Sequence, residues 1–396
     1  MVKILYVLTG GTLGGISSGL LGLLRHLSPR RYRAVVVVTG TASPVPSLYR
    51  RQGIVCFRLP PRHPQQFLER LIRREQICLV HTCDAATEGA RIAQRIGLPH
   101  VWFIGGTLEG TFAAPSAGVL QAMRAIIERL ASVVVVPSRA LARVEFPNLP
   151  ARKLKVIPWG TDPAPPSPPR TPGWLRHRLK IPPAAPLIAL VGNFYPAKRH
   201  LDFLKAAARI HRAFPEARFL IAGRCVGSSP SAAALSRRYR ARVTAAIRHL
   251  RLDGLVTVTE FSPEDRTAWY RDVTLILCPS VEGQSQALLE AGACGVPVIA
   301  VKAGGTPEIF RDGQSGLLVP ERDLDAMADA ALRALRDPAW AQWLGRAARR
   351  RILTRFTADR QAARFQRLYD ALLTREPGRR TGGRWPRPAP GAAYSE

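Results

Sequence analysis

Short apolar runs recur along the chain, and the segments between them carry helical spacing. In the first half the runs are "KILYVL" (3–8), "AVVVVT" (34–39), "ICLVH" (77–81), "HVWFI" (100–104) and "SVVVVP" (132–137). Each is near-continuously apolar, which marks a strand buried on both faces. Residues 17–27, 63–75, 85–96 and 116–131 repeat their apolar positions at helical intervals. Alternating strands and helices predict a parallel sheet covered on both sides. The pattern breaks near 158 at "PWGTDPAPPSPPRTP", where proline removes amide donors and restricts its neighbours. It restarts with "PLIALVG" (186–192), "ARFLIAG" (217–223), "LVTVTE" (255–260), "TLILCP" (274–279) and "VPVIAV" (296–301). The expected architecture is α/β, with two doubly wound domains facing each other across a cleft. Ligands of such sheets bind beyond the carboxyl ends of the strands.

Residues 322–373 read as helical and arginine-rich, with Trp340, Trp343, Phe356, Phe365 and Tyr369 as expected anchors. The tail from about 375, "REPGRRTGGRWPRPAPGAAYSE", has the composition of a disordered basic segment. The resulting division is 1–160 for the first domain, 161–185 for a proline-rich linker and 186–355 for the second domain. A last helix spans 356–374, and the tail spans 375–396.

Composition adds one unusual feature. The 396 residues include 58 Lys+Arg against 28 Asp+Glu, a formal charge of +30, yet only seven lysines. A bias toward arginine explains this, and so does attraction to an anionic partner such as nucleic acid, an acidic membrane surface or a phosphorylated substrate. Six cysteines form no C-x-x-C pair and no disulfide-like framework, which suits a reducing cytoplasm. The eight histidines have no metal-ligand spacing, so no metal is expected. Residues 4–24 carry no charge but contain six glycines, and a strand, a loop and a helix fit them better than a signal peptide or membrane anchor.

Three loops carry candidate chemistry. "TGGTLGG" (9–15) follows the first strand and opens a helix, where glycines let the backbone approach a phosphate. It lacks the G-x-G-x-x-G spacing, and 34–43 holds no acid, so a nicotinamide dinucleotide is disfavoured. A tight structural turn and contact with a diphosphate both remain. "VGNFYPAKRHLDFL" (191–204) places Lys198 in a loop opening a helix, either as an ordinary exposed lysine or beside a diphosphate leaving group. "SVEGQSQALLEAGACGVPVIA" (280–300) sets Glu282 on a loop and Glu290 one turn into a helix that Ser285 is expected to cap. Carboxylates suit vicinal sugar hydroxyls, and free amides at 284–287 suit a phosphate. A solvated loop acid and a helix-face acid account for the spacing equally well.

"EGQSQALLE" followed by "AGACGVPVIA" resembles the E-x7-E signature of retaining glycosyltransferase family 4, of GT-B fold. "AGGTPEIFRDGQSGLLVP" (303–320), "VGNFYPAK", "VVVVPSRALA", "KVIPWGTD" and "GGTLGG" are similar to other blocks of that family, and the likeness runs to about 373. The resemblance implies that the final helices cross back onto the first domain. It implies that Glu290 binds the donor ribose and Glu282 faces the donor sugar, with Gly283, Gln284, Ser285 and Gln286 helping through their amides. Lys198 would neutralise the diphosphate, and Gly14 and Gly15 would approach it from the opposite domain. The chain departs from the pattern in three places. Asn193 stands where many members have an arginine, Trp159 where asparagine is common, and "VWFIGGTLEG" (101–110) lacks the acceptor-side histidine; His81 and His100 are near in sequence but not in that slot. "DLD" (323–325) looks superficially like a metal-binding D-x-D but reads better as a helix cap.

The leading expectation is therefore a retaining, metal-independent glycosyltransferase in cell-surface polysaccharide or glycolipid synthesis. It needs no cofactor beyond its nucleotide-diphosphate sugar donor. Its acceptor is a glycan or a lipid-linked sugar, and it is cytoplasmic, held peripherally on the inner face of the cell membrane. A nucleotide-sugar epimerase or hydrolase of the same fold is the alternative enzyme. A basic nucleic-acid-binding protein is the non-enzymatic one, and no recognised nucleic-acid motif supports it.

Overall fold

The computed structural model describes residues 1–9, 14–40, 44–111, 116–162, 171–227, 230–260 and 265–374. Gly10 to Leu13 of the glycine loop, the prolines within 163–170 and the tail from 375 lie outside the described residues. The first sheet has seven strands: β1 (Val2–Leu8), β2 (Tyr32–Val38), β3 (Val55–Arg58), β4 (Leu79–Cys83), β5 (His100–Phe103), β6 (Val133–Val136) and β7 (Leu154–Val156). They pair in the order β3-β2-β1-β4-β5-β6-β7, every pair parallel. The second sheet comprises β8 (Leu187–Val191), β9 (Arg218–Ala222), β10 (Val256–Thr259), β11 (Leu275–Cys278), β12 (Val298–Val301) and β13 (Leu317–Val319). Its order, β10-β9-β8-β11-β12-β13, is also wholly parallel. The fold is thus two Rossmann-like α/β units.

All ten strands expected from apolar runs are present. The three that the pattern does not reveal, β3, β7 and β13, each close a sheet edge. An edge strand of three or four residues keeps part of its surface in water, which weakens its apolar run, although the fourth edge strand, β10, is announced by "LVTVTE". The four expected helices of the first half form at Gly15–His26, Pro64–Glu75, Thr87–Ile96 and Ala117–Leu130.

The stretch 322–373 resolves into helices Leu324–Arg336, Pro338–Arg355 and Ala358–Thr374. Asp337 separates the first two: its carboxylate caps Trp340 N–H at 2.9 Å, and Pro338 occupies the first helical position, where a missing N–H is harmless. Phe356, Phe365 and Tyr369 are buried anchors, but Trp343 is not, being 44% exposed. Trp340 is half-buried with the Arg333 guanidinium 4.0 Å over its ring.

The last helix lies on the first domain. Tyr6 Oη donates to Tyr369 Oη at 3.2 Å, and Tyr369 also meets His81 Nδ1 at 2.8 Å. Arg31 pairs with Asp370 at 2.9 Å. Residues 171–185 fold onto the second domain, where the Asp272 carboxylate accepts the N–H groups of Gly173 and Leu175 at 2.8 and 2.7 Å.

Candidate active site

One strand order serves both sheets, so each has a switch point where the winding reverses: β1/β4 in the first and β8/β11 in the second. Loops at such a point leave in opposite directions and open a crevice at the carboxyl ends of the strands. The two crevices meet. A Cβ on Gly14, at the start of helix Gly15–His26, would lie 3.4 Å from Asn193 Nδ2 in the loop after β8. One on Gly15 would lie 3.4 Å from Gln286 Cβ. The glycines thus seat the first domain's helix start directly on the second domain.

Lys198 ends a single 3-10 turn, Pro196–Lys198. Its Nζ donates to Glu282 Oε1 at 2.5 Å, and Ser280 Oγ donates to the same oxygen at 2.7 Å. The two side chains are 18% and 15% exposed, so Lys198 is no ordinary surface lysine. Burial opposes its charge, but Glu282 and the adjacent Tyr195 together outweigh that and raise the ammonium pKa. Tyr195, absent from the sequence expectations, places its ring 5.5 Å beneath Nζ. The Glu282 loop is held backbone to backbone: Gly305 N–H donates to Glu282 O at 2.8 Å. A Cβ on Gly305 would fall 2.0 Å from Gly283 O, so only glycine allows this approach.

Helix Gln286–Ala293 begins at Ser285, whose hydroxyl makes no cap, contrary to expectation. Gln284 and Gln286 face the crossing between domains instead. Gln284 Oε1 accepts from Trp159 N–H at 2.6 Å, and Gln286 Nε2 donates to Gly160 O at 3.1 Å. Gly160 N–H donates to Gln361 Oε1 at 3.0 Å, and Thr161 N–H to Phe356 O at 2.9 Å. Gln286 Oε1 is buried with no partner among the described residues.

Glu290 is 6% exposed. It pairs with Arg266 at 2.7 Å, and Tyr270 Oη lies 3.5 Å from its other oxygen. Glu282 and Glu290 therefore do not share a site atom; each holds its own cation. No local signal in the sequence distinguishes Arg266 from the many other arginines.

The departures resolve into packing. Trp159 is 3% exposed and lies with its ring 4.3 Å from that of Phe103, against Gly19 of the first helix. His81 and His100 are core residues: burial lowers their pKa values to about 3 and about 4, and His100 Nε2 meets Thr82 Oγ1 at 2.8 Å. Asp323 caps Ala326 N–H at 2.8 Å, and Asp325 pairs with Arg209. Among the described residues, no group of three or more His, Cys, Asp or Glu is placed to hold a metal. No helix there is long and apolar enough to cross a membrane.

Two family models match this arrangement, one for each sheet. Glycosyltransferase Family 4 covers residues 13–165, and Glycosyl transferases group 1 covers residues 185–337. Each half of the chain is thus similar to glycosyltransferases, the first half to family 4. Curated proteins similar to this chain include a D-inositol 3-phosphate glycosyltransferase from Thermobispora bispora, 31% identical over 257 residues, which cover 63% of this chain and 57% of that protein. The namesake from Streptosporangium roseum is 35% identical over 175 residues, 43% of this chain and 39% of that protein. The chain thus spans about half the length of the curated relatives it matches. Among solved structures, Anabaena HepE in complex with UDP-glucose aligns with TM-score 0.80 at 19% identity, covering 94% of this chain and 100% of that one. Sucrose-phosphate synthase from Thermosynechococcus elongatus aligns with TM-score 0.75 at 22% identity, over 95% and 100%. These likenesses establish the GT-B fold.

Proposed function

We propose that the protein transfers a sugar from a nucleotide-diphosphate donor to an acceptor hydroxyl, with retention at the anomeric carbon and without a metal. The observation that carries this reading is the Lys198–Glu282 pair at the second sheet's switch point, beside the loop that meets Gly14 and Gly15. Glu282 keeps the ammonium protonated and already withdrawn from water. An ammonium in that state stabilises charge that develops on a departing diphosphate without solvent reorganisation.

The other residues divide the donor between them. The amides of Gly283, Gln284, Ser285 and Gln286, at the start of an eight-residue helix, donate to phosphate oxygens. Asn193 supplies a polar contact where an arginine is usual, which leaves Lys198 most of the diphosphate's charge. Glu290, set by Arg266, receives the ribose hydroxyls, and Glu282 faces the sugar. Retention follows from a front-face path in which a leaving phosphate oxygen takes the acceptor's proton. The UDP-glucose held by a protein of the same fold, and the naming of relatives for D-inositol 3-phosphate, support a UDP-sugar donor and a polyol-bearing acceptor. Anchorage to the inner membrane face, and a role in surface polysaccharide or glycolipid synthesis, belong to the same proposal.

Thermal-shift screening of UDP-, GDP- and ADP-sugars identifies the donor, because a ligand bound only by the native state raises the midpoint. Anomeric analysis of the product by NMR then tests retention. A product formed from donor alone, an epimer for example, would overturn transfer, and so would an inverted anomer the retaining path.

A further inference from the structure

Asp84 directly follows β4, at the first sheet's switch point, in left-handed backbone with φ of 50°. Residues other than glycine rarely adopt that region, and Asp and Asn tolerate it best. Such strain concentrates at functional clefts. The backbone of Asp84 is fully engaged: its N–H donates to Phe103 O at 2.8 Å and its carbonyl accepts from Trp102 Nε1 at 2.6 Å. One carboxylate oxygen accepts from Gly105 N–H at 2.9 Å. The other has no donor among the described residues.

The surroundings place this carboxylate on the cleft wall. Thr9 Oγ1 donates to Cys83 O at 3.1 Å, which brings the end of β1 alongside. A Cβ on Gly105 would lie 3.3 Å from Ile16 in the first turn after the glycine loop, and one on Gly283 would lie 3.1 Å from Gly105 O. The Gly105 loop, whose amide Asp84 holds, therefore touches the Glu282 loop across the cleft. Tyr195 completes the link, since its hydroxyl feels the charges of Lys198, Glu282 and Asp84 together. Burial pushes the Asp84 carboxyl up to about 6, against the opposing Gly105 hydrogen bond. Gly105 and Gly106 occupy the segment where the family's acceptor-side histidine is missing.

We propose that Asp84 is the acceptor-binding carboxylate of this enzyme, its free oxygen accepting a hydrogen bond from a hydroxyl of a neutral polyol. That contact holds the attacking oxygen against the anomeric carbon that Lys198 and Glu282 present from the other wall. A carboxylate repels phosphate, so the part of the acceptor that docks here is uncharged. The inference rests on the donor-site reading above.

The test is Asp84→Asn, which keeps an oxygen for Gly105 N–H, suits left-handed backbone, and replaces the free carboxylate oxygen with an uncharged amide donor. UDP affinity by calorimetry is measured first, and then transfer from UDP-glucose to glycerol, myo-inositol and methyl α-D-glucopyranoside across a pH series. Wild-type kcat/KM for a transferred probe should fall as pH drops through about 6. The groups facing Asp84, Cys83 and Tyr195, have pKa values pushed up by burial and do not titrate there. The variant should bind UDP as wild type does, lose on the order of 10- to 100-fold in acceptor kcat/KM, and lack the acid limb. An unchanged acceptor kcat/KM and pH profile in the variant overturns the proposal, and so does a wild type that transfers to no probe faster than to water. A wild type that binds no UDP instead overturns the UDP-donor reading, and this proposal with it.

Discussion

Replacing Glu290 by alanine should unfold the second domain more easily as well as weaken donor binding. Glu290 and Arg266 are 7% and 12% exposed at the side chain and 2.7 Å apart, so removing the acid strands a guanidinium largely withdrawn from water. Breaking a buried pair on one side destabilises by about 3–5 kcal/mol. In a domain of about 150–250 residues each kcal/mol moves the thermal midpoint by about 2–4 °C, so the expected fall is about 6–20 °C. Calorimetry without nucleotide measures it. The double variant Arg266→Met/Glu290→Leu removes both charges and should recover most of that loss, yet it should still bind UDP weakly. That separates the acid's two roles. A single variant that loses less than about 1 kcal/mol, as an exposed pair would, refutes the argument. Equal losses from the single and double variants do the same.

Lys198→Ala should lower turnover on the order of 10²-fold or more; single-turnover rates within a few-fold of wild type would reduce Lys198 to a structural partner of Glu282. Activity should persist after exhaustive chelation, whereas loss with EDTA and rescue by manganese would overturn the metal-free mechanism. Stability should fall as pH drops from 6.5 toward 4. His81, His100 and His200 have folded pKa values lowered to about 3, about 4 and about 4, so the unfolded chain binds more protons in that window. Asp84, raised to about 6, opposes them with one group, and the stabilisation from His26, whose pKa Asp162 raises, is fully present below 6.5 and is lost only above it, outside this window; a flat urea midpoint across this range would contradict the assignment. Arginines crowd the last two helices, where Arg355 and Arg311 depress Arg351 beyond the effect of burial, and Arg360 and Arg367 do so to Arg364. If that face meets an anionic bilayer, at about 1 kcal/mol per basic residue, co-sedimentation with anionic vesicles should fade as salt shortens the Debye length from about 10 Å toward 3 Å. Equal negligible binding to neutral and anionic vesicles at low salt would leave the charge without this role.

What the sequence revealed follows from what is local. Continuous apolar runs announce strands buried on both faces, so the central strands were legible and the edge strands β3, β7 and β13 were not. Motif spacing picked out Lys198 and Glu282, which form an ion pair, and Glu290 on helix Gln286–Ala293. Partners were invisible. Arg266 lies 24 residues from Glu290 and Lys198 lies 84 from Glu282, and no periodicity links positions that far apart. Asp84 is harder still, because a left-handed backbone and one half-used carboxylate leave no mark in a single sequence. Trp343 misled for the opposite reason: large aromatics are usually buried, but helix Pro338–Arg355 turns this one outward.

The chain passes between its domains twice, at Trp159–Thr161 and again at Phe356–Ala358, and the two passages are bound side by side through the Thr161–Thr357 bridge. Two adjacent passages act as the leaves of one hinge: relative motion becomes rotation about a single line, and sliding is resisted. Displacement in such a rotation grows with the lever arm from the axis and vanishes on it. Gln284 and Gln286 are tied to Trp159 and Gly160, which puts the start of helix Gln286–Ala293 on the pivot. A rotation about that line would leave the orientation of its amides nearly unchanged. On the donor reading proposed above, the phosphate contacts would be set before the far wall swings in.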